Sequence, residues 1–301
     1  MRDIKKALQG RFYLDGGFGS TLVKLGYKTL HAELYNIEKP EVVQSIHEGY
    51  FKVGTNAICT NTFSCNKKKA DVSKYTLKEI IHAAIKNARI VADKYSGFVL
   101  YDCGPIGELL YPYGRMTFDE AYEIFAEQAR IVNGQNVDGV LIETISDLQE
   151  MRAAILAFKE NTSLPIFSSM TFEKDGRTFA GVAAESFALT VQALGVDALG
   201  VNCGVGPSET ASIIKKIKDV SSIPVFAKPN ASIPKYIDGQ TVYEVKPSDF
   251  ATAMQEIANL GINILGGCCG TDSEYISALV QATKNIPTST NKNILPDAIT
   301  S

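Results

Sequence analysis

Six cysteines lie in this chain of 301 residues, and three of them occupy glycine-flanked positions suited to chemistry: Cys203, Cys268 and Cys269. Cys203 precedes Gly204, and the adjacent pair sits inside Gly266-Gly-Cys-Cys-Gly270. Glycine tolerates backbone angles that other residues avoid, so two neighbouring thiols can turn toward one ion. Three thiolates with one position left open would make a catalytic zinc site, tetrahedral, with Zn–S bonds of about 2.3 Å. The simpler alternative is that these are small buried hydrophobes, as unpaired cysteines often are. Three together, two of them adjacent, favour the metal. Cys59, Cys65 and Cys103 read as packing or loop residues.

Two carboxylates and a glycine loop form the second group. The loop Asp15-Gly-Gly-Phe-Gly-Ser20 could turn backbone N–H groups toward a phosphate or toward a carboxylate. Asp15 and Glu143 lack any spacing that marks an acid/base pair. Carboxylates beside N–H donors suit an amino-acid ligand, the acids taking the ammonium and the N–H groups the carboxylate. Asp15 as a plain turn cap is the alternative. The three histidines, His31 in a loop and His47 and His82 on predicted helices, read as structural or solvated.

Positioning these groups requires a scaffold whose loops converge. Eight short apolar runs recur along the chain: Phe12–Leu14, Ala57–Thr60, Phe98–Tyr101, Gly139–Glu143, Pro165–Met170, Ala198–Asn202, Pro224–Ala227 and Asn263–Leu265. Each reads as a strand buried on both faces. Helical patterns lie between them. The clearest carries Leu77, Ile80, Ile81, Ala84, Ile85, Ala88 and Val91, with Thr76 and Glu79 as a capping box. Thr117 with Glu120 and Thr271 with Glu274 repeat that signature, and Pro40 marks a first helical turn. Eight strand–helix units in this length predict an α/β fold, a single-domain (β/α)₈ TIM barrel over residues 1–286, with a loose tail over 287–301. A doubly wound open sheet is the rival. In a barrel the strand C-termini carry the active site, and Asp15, Glu143, Cys203, Lys228-Pro-Asn230 and Cys268-Cys269 all fall there.

Composition narrows the function classes. Hydrophobic residues make up 45% and charged residues 21%, which excludes a disordered or collagenous chain. A formal net charge of −3 does not suit a nucleic-acid binder. No run of 18 apolar residues exists, and no signal peptide is recognised, so a cytoplasmic globular protein with reduced thiols and no membrane partner is expected.

At these positions the chain resembles the homocysteine S-methyltransferase family. The likeness is carried by Asp15–Ser20, Thr60-Asn-Thr-Phe63, Gly104-Pro-Ile-Gly-Glu-Leu109, Glu143-Thr-Ile-Ser-Asp147, Gly200-Val-Asn-Cys203 and Gly266–Gly270. Within the family it is most similar to the homocysteine-binding module of cobalamin-dependent methionine synthases, through Gly107–Gly114, Met170–Phe172 with Asp175–Arg177, and Lys228–Ala231. The resemblance implies zinc on Cys203, Cys268 and Cys269, with the homocysteine sulfur as fourth ligand and methionine as product. It implies that Glu143 and Asp15 hold the amino group, the Gly16, Gly17 and Phe18 backbone the carboxylate, and Asn230 the open zinc position before substrate arrives. The corrinoid signature Asp-x-His-x-x-Gly is absent, so the methyl donor is expected from outside this chain. Methylcobalamin on a separate corrinoid domain or protein is the first expectation. S-methylmethionine or betaine as a small donor, and a non-catalytic zinc- and homocysteine-binding subunit, are the alternatives.

Overall fold

The computed structural model describes residues 3–70, 73–233, 235–237 and 240–288. Most of the expected tail, from residue 289 on, lies outside the described residues. The eight apolar runs all form strands: β1 (Phe12–Tyr13), β2 (Ala57–Cys59), β3 (Phe98–Cys103), β4 (Gly139–Ile145), β5 (Ile166–Met170), β6 (Ala198–Cys203), β7 (Val225–Pro229) and β10 (Ile264–Leu265). They pair in parallel in the order β1-β10-β7-β6-β5-β4-β3-β2. A parallel bridge from Leu14 to Ala57 joins the two ends of that order, which makes a nearly closed barrel and excludes the open sheet. The Asn56 N–H donates to the Tyr13 carbonyl at 2.8 Å at the same seam.

Strand alternation explains why the runs are apolar throughout. One set of residues, including Phe12, Leu14, Phe98, Leu100, Leu141, Phe167 and Phe226, fills the barrel interior. Their neighbours, including Val99, Tyr101, Val140 and Ile142, pack against the helices. Complete burial of one such side chain contributes roughly 1.5–3 kcal/mol. The short helix Ile4–Ala7 places Ile4, with the adjoining Leu8, in the interior cluster and thereby plugs the barrel.

The helix Leu77–Tyr95 carries its Thr76/Glu79 capping box and the helix Phe118–Val132 its Thr117/Glu120 box. Pro40 opens the helix Pro40–Lys52. The third box does not form. Asp272 caps the last helix, Ser273–Thr283, by accepting from the N–H groups of Glu274 and Tyr275. Thr271 is drawn away by the cysteine turn, its hydroxyl donating to the Cys268 carbonyl at 2.6 Å. An antiparallel hairpin, β8 (Lys235–Ile237) with β9 (Gln240–Val242), follows β7 and was not signalled by the apolar pattern.

Candidate active site

The inward-facing series on each strand turns polar as it reaches the C-terminal end. On β3 it runs Phe98, Leu100, Asp102; on β4 Leu141, Glu143; on β7 Phe226, Lys228. These polar ends line a cavity of about 270 Å³ together with Asp15, the loop Gly16–Ser20, Cys59, Asn61, Thr144, Cys203, Cys268 and Cys269. Apolar packing below and polar groups above thus come from one alternation continued past the core.

The three cysteines converge as expected. Their sulfurs all lie within 4.8 Å of one another, and the Cys203 and Cys269 Sγ atoms are 3.7 Å apart. Two sulfurs on a tetrahedral ion with 2.3 Å bonds stand roughly 3.8 Å apart, so the spacing fits zinc. Shared hydrogen bonds with Cys203 and Cys268 hold the Cys269 thiol down to about 3, while its bonds to Cys268 and Cys269 push the Cys203 thiol up. Three sulfurs this close accept one negative charge readily and further ones only with a cation between them.

Backbone strain builds this cluster. Cys203 and Thr144 both adopt left-handed angles, φ +56 and +64, which non-glycine residues rarely take. Asn202 bridges them. Its side-chain N–H groups reach the Thr144 hydroxyl at 2.6 Å and the Cys268 sulfur at 3.8 Å, and its carbonyl oxygen accepts from the Thr144 N–H at 2.8 Å. Asn230 ties the two cysteine turns from behind: its Oδ1 accepts from the Cys269 N–H at 3.1 Å and its amide donates to the Gly204 carbonyl at 3.3 Å. Asn230 is buried, and it is not among the residues that line the cavity.

Gly17 sits against the cysteine turn, where a Cβ would lie 2.6 Å from the Cys268 carbonyl oxygen. Only glycine fits there, so the loop's composition serves close approach as much as ligand binding. The Gly17 N–H donates to the Thr271 carbonyl at 2.8 Å and is not free for a ligand. The helix Phe18–Lys24 begins at this point, and its first turn leaves N–H groups without intrahelical acceptors beside the cavity.

The sequence places Lys228 at a strand end but assigns it no role. It is 2% exposed, and its Nζ lies 3.2 Å from Asp15 Oδ1 and 3.3 Å from Glu143 Oε2. Burial works against its charge, but the Cys59 sulfur and the carboxylates of Glu143 and Asp15 outweigh it and raise its pKa. Asp15 Oδ2 accepts from the Cys59 N–H at 2.6 Å. Burial pushes Glu143 up to about 7 against the pull of Lys228. The signal was available: a lysine two residues after the inward Phe226 must point inward too. His47, read from the sequence as structural or solvated, is structural: it is fully buried against the Phe18 ring, centroids 5.4 Å apart. Burial lowers its pKa to about 3, so it is neutral. Cys59, Cys65 and Cys103 are buried, and Cys59 also lines the cavity.

A nearly closed parallel barrel with thiols, carboxylates and the Lys228 ammonium gathered at its mouth defines an enzyme-type (β/α)₈ chain competent to hold a soft metal. The chain belongs to the homocysteine S-methyltransferase family, a family of methyltransferases, whose model matches residues 12–283. It is 30% identical over 268 residues to methionine synthase of Mycobacterium tuberculosis, and 30% identical over 265 residues to that of Mycobacterium leprae. These matches cover 84% and 83% of this chain but 22% of each relative, so the chain spans about a fifth of their length. Among solved structures, the homocysteine methyltransferase MmuM of Escherichia coli shares the fold. Its oxidised form superposes with a TM-score of 0.76 at 19% identity, covering 90% of this chain and 95% of that one. The metallated form gives 0.75 at 17% identity, covering 91% and 96%. No helix among the described residues is long and apolar enough to cross a membrane.

Proposed function

We propose that this chain binds zinc through Cys203, Cys268 and Cys269 and methylates homocysteine to methionine. The observation that carries the reading is the sulfur triad at tetrahedral spacing, opening onto a cavity that carries acids and N–H donors. Zinc, when bound, supplies a Lewis acid that accepts a fourth sulfur and strips its proton, giving the nucleophilic thiolate at neutral pH. Asn202 and Asn230 hold the cysteine turns in register. Glu143 and Asp15, with Lys228 between them, form the charged floor beneath the amino end of the substrate, and the Gly16–Phe18 loop faces its carboxylate. His47 is neutral and does not line the cavity, and Lys228, which does, is engaged by Asp15 and Glu143; this fits a reaction in which metal binding, not a general base, removes the thiol proton. The methyl group then passes to the substrate sulfur, and its former bonding pair stays with the donor.

The donor in this reading is methylcobalamin carried by a separate corrinoid domain or protein. Two findings support a macromolecular donor. The sequence relatives are methionine synthases more than four times as long as the matched stretch. The loops at the mouth expose Leu30, Tyr111, Tyr113 and Phe179, each more than two-thirds accessible. The reading places the chain in the cytoplasm, where its unpaired cysteines stay reduced. Methionine formation from homocysteine, measured side by side with methylcobalamin, S-methylmethionine and betaine, tests it. Turnover with methylcobalamin is expected. Turnover only with a small donor moves the chain to that class, and no turnover with any donor leaves a binding subunit.

A further inference from the structure

The strand ends that form the cavity floor carry three carboxylates and one ammonium; a fourth lining acid, Glu33, lies on the short helix Ala32–Leu34 beside His31. Lys228 serves two of the three, Asp15 and Glu143. The third is Asp102, next in the inward series after Phe98 and Leu100, 7% exposed and part of the cavity lining. Its Oδ1 is buried and meets no hydrogen-bond donor among the described residues. Each oxygen of Asp15, by contrast, is already engaged: Oδ1 by Lys228 and Oδ2 by the Cys59 N–H at 2.6 Å. A buried carboxylate without a partner is costly, so a position of this kind either keeps its proton or awaits a cation. Burial and the neighbouring Glu143 push Asp102 well above the usual carboxylate range, against the pull of Lys228.

We infer that Asp102 is the carboxylate that receives the ammonium of the amino-acid substrate. Asp15 then becomes a positioning residue, which anchors Lys228 and the end of β2. The inference rests on the homocysteine reading and assigns a specificity role to a residue that neither the glycine loop nor the cysteine motifs single out. Charge bookkeeping agrees. With Lys228 alone the floor has one cation for three acids, and a substrate ammonium supplies a second at the acid that lacks one. The consequence is selection: a thiol acid without an amine leaves Asp102 unpaired, while homocysteine satisfies it.

Calorimetric titration of the zinc-loaded full chain with homocysteine and with 4-mercaptobutanoate, the same thiol acid without the amine, tests this. For Asp102→Asn, homocysteine affinity is expected to fall about 10- to 150-fold, the size of one charge-assisted hydrogen bond. Binding of 4-mercaptobutanoate should change less than about threefold, and the melting temperature should hold or rise, since an unpaired buried acid is removed. Asp102→Ser provides the same comparison should the Asn protein fold poorly. Unchanged homocysteine affinity, or equal weakening for both thiols, overturns the assignment. Wild-type protein that binds neither thiol overturns the homocysteine reading itself, and the assignment with it.

Discussion

Replacing Lys228 with methionine tests the charged floor most severely. The variant keeps the length of the side chain and removes the cation that, among the described residues, contacts both Asp15 and Glu143, at 3.2 and 3.3 Å. At an effective dielectric of about 20, each contact is worth roughly 5 kcal/mol before desolvation is subtracted. Breaking a buried pair by removing one partner costs about 3–5 kcal/mol net. For a chain of 301 residues the entropy of unfolding is roughly 0.6 kcal/mol/K, so the melting temperature should fall by about 5–8 °C. The loss depends on pH, and its sign follows from the carboxyls. Glu143 already sits at about 7, and loss of Lys228 drives it higher. The folded variant then holds a proton that the unfolded chain releases, so its stability declines as pH rises. Scanning calorimetry at pH 6 and pH 8, with metal content matched, should therefore show the larger penalty at pH 8. Adding Asp15→Asn should cost far less in the Lys228→Met background than in wild type. A Lys228→Met protein that melts within a degree of wild type at pH 8, or additive effects in that cycle, would refute the ion-pair floor.

Further outcomes follow from the same geometry. Cys268→Ala and Cys269→Ala proteins should each lose most of the roughly one zinc per chain expected for wild type, and stoichiometric metal in both would remove the triad as a site. Homocysteine binding near pH 7 should release close to one proton, and only with zinc present; calorimetry in buffers of different ionisation enthalpy reads this directly, and no buffer dependence would mean that the thiol keeps its proton. Glu150, buried and accepting from the Ile106 N–H at 2.7 Å, is raised by burial to about 7. Its folded form prefers the proton, so the stability it contributes is complete below about pH 4.5 and is lost as pH rises through 7. Glu150→Gln should flatten that decline by up to roughly 3 kcal/mol, and denaturant melts from pH 5 to 8 that are parallel for both proteins would contradict it.

The fold was legible because barrel strands are buried on two faces and read as unbroken apolar runs. All eight appear, and only their ends shift: β3 continues to Cys103 and so brings Asp102 inside. The cysteine triad was legible from residue type and glycine spacing. What escaped was pairing. Lys228 carries no local signature of its partners, because Asp15 and Glu143 lie 213 and 85 residues away in sequence. Strand alternation alone would have turned it inward. Thr271 looked like a helix cap because capping boxes are read three residues at a time, whereas its hydroxyl is held by the Cys268 carbonyl and Asp272 takes the cap. The left-handed angles at Thr144 and Cys203 have no sequence signal, and Asn202, which bonds Thr144 across the barrel end, lies 58 residues from it in sequence.

Zinc-edge X-ray absorption on the purified chain, recorded before and after addition of homocysteine, reads the central claim at the metal itself. The expected spectrum shows three sulfurs at about 2.3 Å and one lighter ligand, changing to four sulfurs with homocysteine. Absence of zinc, or a sulfur count that homocysteine leaves unchanged, would contradict thiol activation at Cys203, Cys268 and Cys269.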